Sequence, residues 1–246
     1  MPMPLALTRR ALLLGAAATP VLAAQPGAAG LVEPHMRLAD RPEPTVALTF
    51  DACDGRVDDR ILSTLIALKV PATIFVSGIW LGRNPQAFRT LLDHPDLFEI
   101  GDHGAHHRMA VDRPTTFWGV HAAGSPAGIA AEVTGGAALL TAAGAPHPRW
   151  YRGAAALYTP EALAQVVGMG YRIAGFSLNG DGGASFGTAE TARRIGAARP
   201  GDVVIAHVNQ PLRPAGAGVA QGIRALAAAG MRFVRLSDPG VGVVPA

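Results

Sequence analysis

Two short stretches of this 246-residue chain hold the side chains best suited to chemistry. The first is Leu48-Thr49-Phe50-Asp51-Ala52-Cys53-Asp54-Gly55. Val46, Leu48 and Phe50 mark a strand, and the acids fall where that strand gives way to a loop. In a barrel, such a C-terminal strand tip faces the shared mouth. A solvated turn is the plain alternative, since Asp and Gly are ordinary turn residues. The second stretch is Glu99-Ile100-Gly101-Asp102-His103-Gly104-Ala105-His106-His107, directly after another strand. His103 and His107 lie four apart, so one helical turn or a tight loop presents both imidazoles to one point, a spacing that suits a divalent metal. His106 points elsewhere on such a turn. Cys53 is the only cysteine, which excludes an intrachain disulfide. It reads first as a small semi-buried filler, with a reactive thiol or a soft metal ligand as the alternatives.

The elements that position these residues follow from apolar spacing and turn signals. Residues 58–69 place Ile61, Leu62, Leu65, Ile66 and Leu68 at helical spacing, and Val70-Pro71 ends the helix. A strand over 72–77, a helix carrying Phe88, Leu91 and Leu92, and a strand over 97–100 follow. A loop insertion over 115–124 holds Phe117, Trp118 and His121, which read as half-buried lid packing or as a surface for sugar rings. Ser125 caps a helix to about residue 143. Further strands are expected at 148–152, 171–178, 203–208 and 231–236, with helices at 160–169, 188–198 and 217–229. Strand and helix alternate through about seven units, which predicts a parallel sheet in one deformed (β/α) barrel.

The N-terminal 24 residues read as an export signal. Thr8-Arg9-Arg10 precedes an apolar run, and Val21-Leu22-Ala23-Ala24 offers small residues for cleavage. The pattern resembles a twin-arginine signal, which implies a periplasmic or secreted protein. The apolar run is too short for a comfortable membrane span. Residues 25–44, rich in Pro, Gly and Ala, read as a linker into a barrel domain over 45–246. The net charge of +3 is small, and the arginines are scattered without an aromatic-and-basic stripe, which sets nucleic acid aside as a partner.

Taken together the motifs resemble the polysaccharide deacetylases, the carbohydrate esterase family that includes chitooligosaccharide, chitin and peptidoglycan deacetylases. The likeness runs from about Thr45 to Leu236. It rests on the strand-borne Asp51 and Asp54-Gly55, on Ala72-Thr73-Ile74-Phe75-Val76-Ser77-Gly78, on His103 and His107, on Arg152 after a strand, and on Ile205-Ala206-His207. The resemblance implies Asp51 as general base, and Asp54, His103 and His107 as ligands of a divalent cation, with zinc preferred for a His and carboxylate set. It implies Arg152 as the residue that orients the base, and His207 as general acid. Asp181, the only carboxylate near the family's fourth motif, is expected to orient His207. The implied reaction is removal of N- or O-acetyl groups from a carbohydrate polymer or oligosaccharide.

Three departures stand against the family pattern. Its two aspartates are usually adjacent, whereas Ala52 and Cys53 separate them here, so Asp51 and Asp54 can exchange roles and Cys53 can approach the metal. Gly153-Ala154-Ala155 stands where the family usually has an aromatic wall, and Gly stands in place of the fourth motif's Trp. Two other readings therefore stand beside the deacetylase: a metal-dependent hydrolase of a non-sugar amide on the same fold, and a catalytically decayed carbohydrate-binding protein.

Overall fold

The computed structural model describes residues 30–40 and 43–245. The export signal expected over the first 24 residues lies outside them. In chain order the elements are β1 (Met36–Leu38), β2 (Thr45–Ala52), α1 (Asp59–Ala67), β3 (Ala72–Val76), α2 (Gly78–Arg83), α3 (Pro85–Asp93), β4 (Phe98–Asp102), β5 (Thr116–Phe117), β6 (Val120–His121) and α4 (Pro126–Ala142). They continue with β7 (Trp150–Tyr151), α5 (Pro160–Gly168), β8 (Arg172–Ile173), β9 (Leu178–Asn179), α6 (Thr188–Gly196), β10 (Val203–His207), α7 (Ala215–Ala228), β11 (Arg232–Val234) and β12 (Val243–Pro245).

The parallel strands lie in the order β8-β7-β4-β3-β2-β10-β9, and β11 pairs with the first half of β2. The sheet curls into a half-barrel flanked by helices, which is the deformed (β/α) barrel that the alternation predicts. All of β2 is buried, and its alternate residues serve two layers. Val46, Leu48, Phe50 and Ala52 pack with Ile61 and Leu65 of α1 and with Val219 and Ile223 of α7. Ala47 joins Phe75, Trp150, Val203 and Ile205 in a second core cluster. Thr49 and Asp51 share the phase of Ala47, so the alternation that builds the core also aims Asp51 inward.

Local sequence sets the helix ends. Asp58 caps α1, accepting the backbone N–H of Arg60 at 3.1 Å. Ser77 caps α2, accepting from the N–H of Trp80 at 3.0 Å. This short helix was missing from the periodicity reading because six residues with a glycine at each turn carry too little pattern. Among the described residues no helix is long and apolar enough to cross a membrane.

Two further differences from the sequence reading share one cause. Within the stretch assigned to a linker, the chain bridges Val32 to Tyr158, His35 to Phe176 and Arg37 to Asp202, and β1 pairs with β12. Met36 and Leu38 are buried in the same cluster as Ala47 and Phe75. The strand expected over 171–178 is split into β8 and β9 across Ala174 and Gly175, where this segment crosses. A Cβ on Gly175 would stand 2.2 Å from the carbonyl oxygen of Pro34. Glycine is thus required there by close backbone approach. Gly175→Ala is expected to destabilise the fold by about 1–3 kcal/mol, the usual cost of overpacking. Urea unfolding of the purified variant measures this, and an unchanged midpoint would show that residues 30–38 do not brace the barrel.

Candidate active site

The site begins with a buried arginine. Arg152, just after β7, is fully buried, and only bonds to its guanidinium make that tolerable. Nη1 donates to Asp51 Oδ1 at 2.9 Å, Nη2 to Thr49 Oγ1 and to the carbonyl of Gly175, both at 3.0 Å, and Nε to the carbonyl of Ala174 at 3.2 Å. The planar cation also lies 4.3 Å from the centre of the Phe75 ring. The carbonyls of Ala174 and Gly175 therefore face Arg152, which is the second reason why the strand breaks between β8 and β9. Burial pushes the Asp51 carboxyl up, but Arg152, His103 and His207 together outweigh it and hold it below the usual carboxylate range. Asp51 is thus ionised at neutral pH.

His103 sits one residue beyond β4 and is fully buried. Its Nδ1 lies 2.6 Å from the carbonyl of Arg152. A carbonyl only accepts, so Nδ1 keeps its proton, and Nε2 is the nitrogen that would give up its proton to bind a cation. Burial lowers the His103 pKa, but Asp51 and then Cys53 override it, lifting it to about 9. The two imidazoles meet across a tight loop rather than a helical turn. Gly104 has φ +82° and His107 φ 55°, which turns the His107 ring back to 4.9 Å from that of His103. His106 is turned out to solvent, as the spacing predicts.

A residue that sequence reasoning missed holds this loop. Glu132 of α4 is buried, and its Oε1 accepts the backbone N–H groups of His106 at 2.7 Å and Arg108 at 3.0 Å, while Oε2 lies 3.1 Å from His106 Nδ1. Its position was the available signal, since Glu132 occupies the buried stripe of α4 with Ile129, Val133, Gly136 and Leu140. Asp102 supports the same loop from β4, accepting the N–H of Gly104 at 2.8 Å. Burial raises the Asp102 carboxyl to about 8, so at neutral pH it is protonated and adds no second charge beside Asp51.

His207 ends β10 in register with Asp51 on the neighbouring strand. The buried carboxylate of Asp181 receives its backbone N–H at 2.7 Å, and His207 Nδ1 lies 3.0 Å from Oδ1. The pairing expected of Asp181 and His207 is therefore in place. Burial disfavours the imidazolium, but Asp181, joined by Cys53, holds its pKa well above the ordinary value.

The structure departs from the sequence reading at Asp54. That carboxylate is 57% exposed and lies 3.7 Å from Arg83 on the outer side of the loop, so it is not brought to the imidazoles. Alternation explains the difference: it carries one residue past the end of β2, so Cys53 rather than Asp54 shares the side of Asp51. Cys53 Sγ lies 3.6 Å from His103 Nε2, and the donor atoms of Cys53, His103 and His107 all fall within 4.8 Å of one another. Burial opposes ionisation of the thiol, but His107, His103 and His207 outweigh it and bring its pKa well below the ordinary range. Two imidazole nitrogens and a sulfur converging on one point fit a divalent metal of the zinc kind.

Two loops pack together, one of them following Arg152 in the chain. The N–H of Gly153 donates to Tyr158 Oη at 2.7 Å, so that backbone donor is engaged within the fold. Ala155 and Ala156 follow at φ 59° and 52°, a left-handed pair that packs with the β5–β6 hairpin through Phe117 and Leu157. Of the insertion's aromatics, Phe117 is buried and Trp118 is exposed.

A family model described as polysaccharide deacetylase matches residues 39–174. No curated protein matches the chain. Among solved structures, a family 4 carbohydrate esterase from Streptomyces lividans in complex with acetate superposes with a TM-score of 0.64 at 19% identity, covering 82% of this chain and 98% of that one. The peptidoglycan deacetylase PdaC from Bacillus subtilis gives 0.65 at 19%, covering 81% and 91%. A pseudoenzyme of the same carbohydrate esterase family from Bacillus anthracis gives 0.65 at 18%, covering 81% of this chain and 66% of that protein. At these identities the likeness is one of fold.

Glu132→Ala is expected to lower unfolding stability by about 1–3 kcal/mol, because the buried donors it satisfies lose their acceptor. Amide hydrogen exchange gives the sharper readout: protection should fall at His106 and Arg108 while β10 keeps its own. Uniform loss across both would assign Glu132 to the core rather than to the loop.

Proposed function

This chain belongs to the polysaccharide deacetylase family, and from that premise we propose that it is a metal-dependent hydrolase removing acetyl groups from an acetylated carbohydrate. The observation that carries the reading is a pair of proton-transfer groups displaced in opposite directions. Asp51 is held ionised by Arg152, and His207 is held protonated by Asp181, at matching positions on adjacent strands. Such a pair supplies a base and an acid at one pH.

Asp51 accepts a proton from the water that attacks the acetyl carbonyl. Its second oxygen, 3.8 Å from His103 Nε2, is the one available for this, because Arg152 engages Oδ1. His207 returns a proton to the departing amine or alcohol, so that neither leaves as an anion. His103 and His107 hold the divalent cation, zinc by donor preference. When bound, that cation supplies Lewis acidity, which makes water a stronger nucleophile and the acetyl carbonyl a better electrophile. Phe117 and the left-handed turn at Ala155 and Ala156 wall the mouth, and the exposed Trp118 offers an apolar face suited to a sugar ring. Export is inferred from Thr8-Arg9-Arg10 and the apolar run after it.

The retained acid and base argue for catalysis over a decayed binding site, even though one structural neighbour is described as a pseudoenzyme. Acetate release from acetylated glycans, abolished by chelator and restored by zinc, tests the reading. Turnover of small cyclic amides without acetate release would transfer the site to the non-sugar hydrolase, and sugar binding without either would make it a binding protein.

Asp51→Asn is expected to lower turnover by about 10²–10⁴-fold, the range for general acid–base catalysis, while metal content stays near the wild-type level. Full turnover in the variant would remove Asp51 from the role of base. The pH profile tests the acid. Asp181 is the main influence raising the His207 pKa, so Asp181→Asn should let His207 lose its proton at lower pH. The alkaline limb of kcat/KM then moves down in pH, and an unchanged limb would dissociate Asp181 from the acid.

A further inference from the structure

The deacetylase reading needs a third protein ligand beside His103 and His107, and the aspartate that the sequence offers is turned away. Asp54 faces solvent beside Arg83. Asp51 gives Oδ1 to Arg152, and although its Oδ2 stands 3.8 Å from His103 Nε2, it does not join the set that also closes on His107; Asp102 is committed to the N–H of Gly104. Among the described residues, the set of three donors that closes on one point is Cys53, His103 and His107.

The distances suit coordination through sulfur. At the usual zinc–sulfur and zinc–nitrogen lengths of about 2.3 and 2.0–2.1 Å, tetrahedral geometry separates the two donor atoms by about 3.5 Å. Cys53 Sγ and His103 Nε2 stand 3.6 Å apart. The carbonyl of Arg152 holds a proton of His103 on Nδ1, which makes Nε2, on the side of the sulfur, the nitrogen open to coordination. A buried filler would need none of this alignment.

Resting on the metal-dependent reading, we propose that the Cys53 thiolate is the third protein ligand of the catalytic metal, in the place where a carboxylate is expected. On binding, the proton held between Cys53 Sγ and His103 Nε2 passes to solvent and the sulfur–metal and nitrogen–metal bonds form, with no change of oxidation state. A sulfur, two-imidazole set favours zinc or cobalt(II) over magnesium or manganese, which prefer oxygen ligands. Asp51 is then left free of the metal to act as base.

The test uses metal-free full-length protein titrated with cobalt(II), read by absorption and by iodoacetamide labelling. Because Cys53 is the sole cysteine, intact mass reports its modification without ambiguity. The expected result is one cobalt per chain, a near-ultraviolet sulfur-to-cobalt charge-transfer band, and labelling that slows when cobalt is bound. Cys53→Ser should lose the band and weaken cobalt binding by more than the roughly 10–100-fold that loss of an outer-shell partner costs. Cys53→Asp should keep the cobalt without the band, which separates lost ligation from lost folding. Stoichiometric cobalt without a band, and with unchanged labelling, would overturn the thiolate ligand while leaving the metal-dependent reading intact. A wild-type chain that takes up no cobalt would overturn both. Acetate release by the metal-free chain with an acetyl group trapped on Cys53 would make the thiol a nucleophile and reject it as a ligand.

Discussion

The buried guanidinium of Arg152 is the interaction on which the rest of the site depends. A cation with no exposed surface is tolerable only where its donors are engaged and a counter-charge is close, and each of those bonds fixes a different element. Asp51 and Thr49 belong to β2, the carbonyls of Ala174 and Gly175 to the crossing between β8 and β9, and the ring of Phe75 to β3. The backbone of the same residue receives His103 Nδ1 on its carbonyl and donates its N–H to Asp102. Removing the charge would thus release the carboxylate, the strand break and the sheet's inner face together. Arg152 also helps to break the strand between β8 and β9, since the carbonyls of Ala174 and Gly175 are turned toward its guanidinium.

Around that centre, the fold arranges side chains through strand alternation and strand ends. Parallel strands deliver their C-terminal tips to one rim, so Asp51, Asp102 and His207 arrive together although they are far apart in the chain. Loops then complete what the strands cannot. The His103–His107 turn needs left-handed backbone and a glycine whose missing Cβ leaves room for Glu132, which a Cβ on Gly104 would meet at 2.5 Å. Glu132 reaches this turn from a helix rather than a strand, so the loop is braced from the outer layer while the strands brace the residues within.

The sequence carried much of this because the periodicities are strong where burial is two-layered. β2, β3 and β10 alternate between core clusters and were readable, as were the long helices with an apolar stripe. Asp51, His103, His107, Arg152 and His207, with Asp181 beside His207, lie together at one end of the sheet, as the family resemblance implied. What was not legible depends on contacts between distant segments. Residues 30–38 look like a linker by composition, yet Met36 and Leu38 fill the barrel because the crossing at Gly175 leaves a place for them. Asp54 precedes Gly55 as a motif comparison requires, but the two residues between it and Asp51 put it out of phase with the interior. The role of Glu132 is invisible locally, because its partners lie 24 and 26 positions earlier.

The paired geometry also explains how one site can hold an ionised aspartate and a protonated histidine without their neutralising each other. An aspartate and a histidine placed alone in a dry cavity would form an ion pair, and each would then be spent on the other. Here each has its own closer partner. Arg152 faces Asp51 at 2.9 Å, and Asp181 faces His207 at 3.0 Å. The attraction between Asp51 and His207 ranks below these contacts for both groups. Two separately balanced pairs fix opposite protonation states at the same pH, and they also keep net charge low in a region with little water to screen it. The space between the pairs is left to Cys53 and the two imidazoles. Both balancing residues, Arg152 and Asp181, are fully buried, whereas His207 keeps some exposure toward the mouth. The groups that set protonation are thus sealed into the fold, while the histidine that Asp181 tunes keeps an opening to solvent.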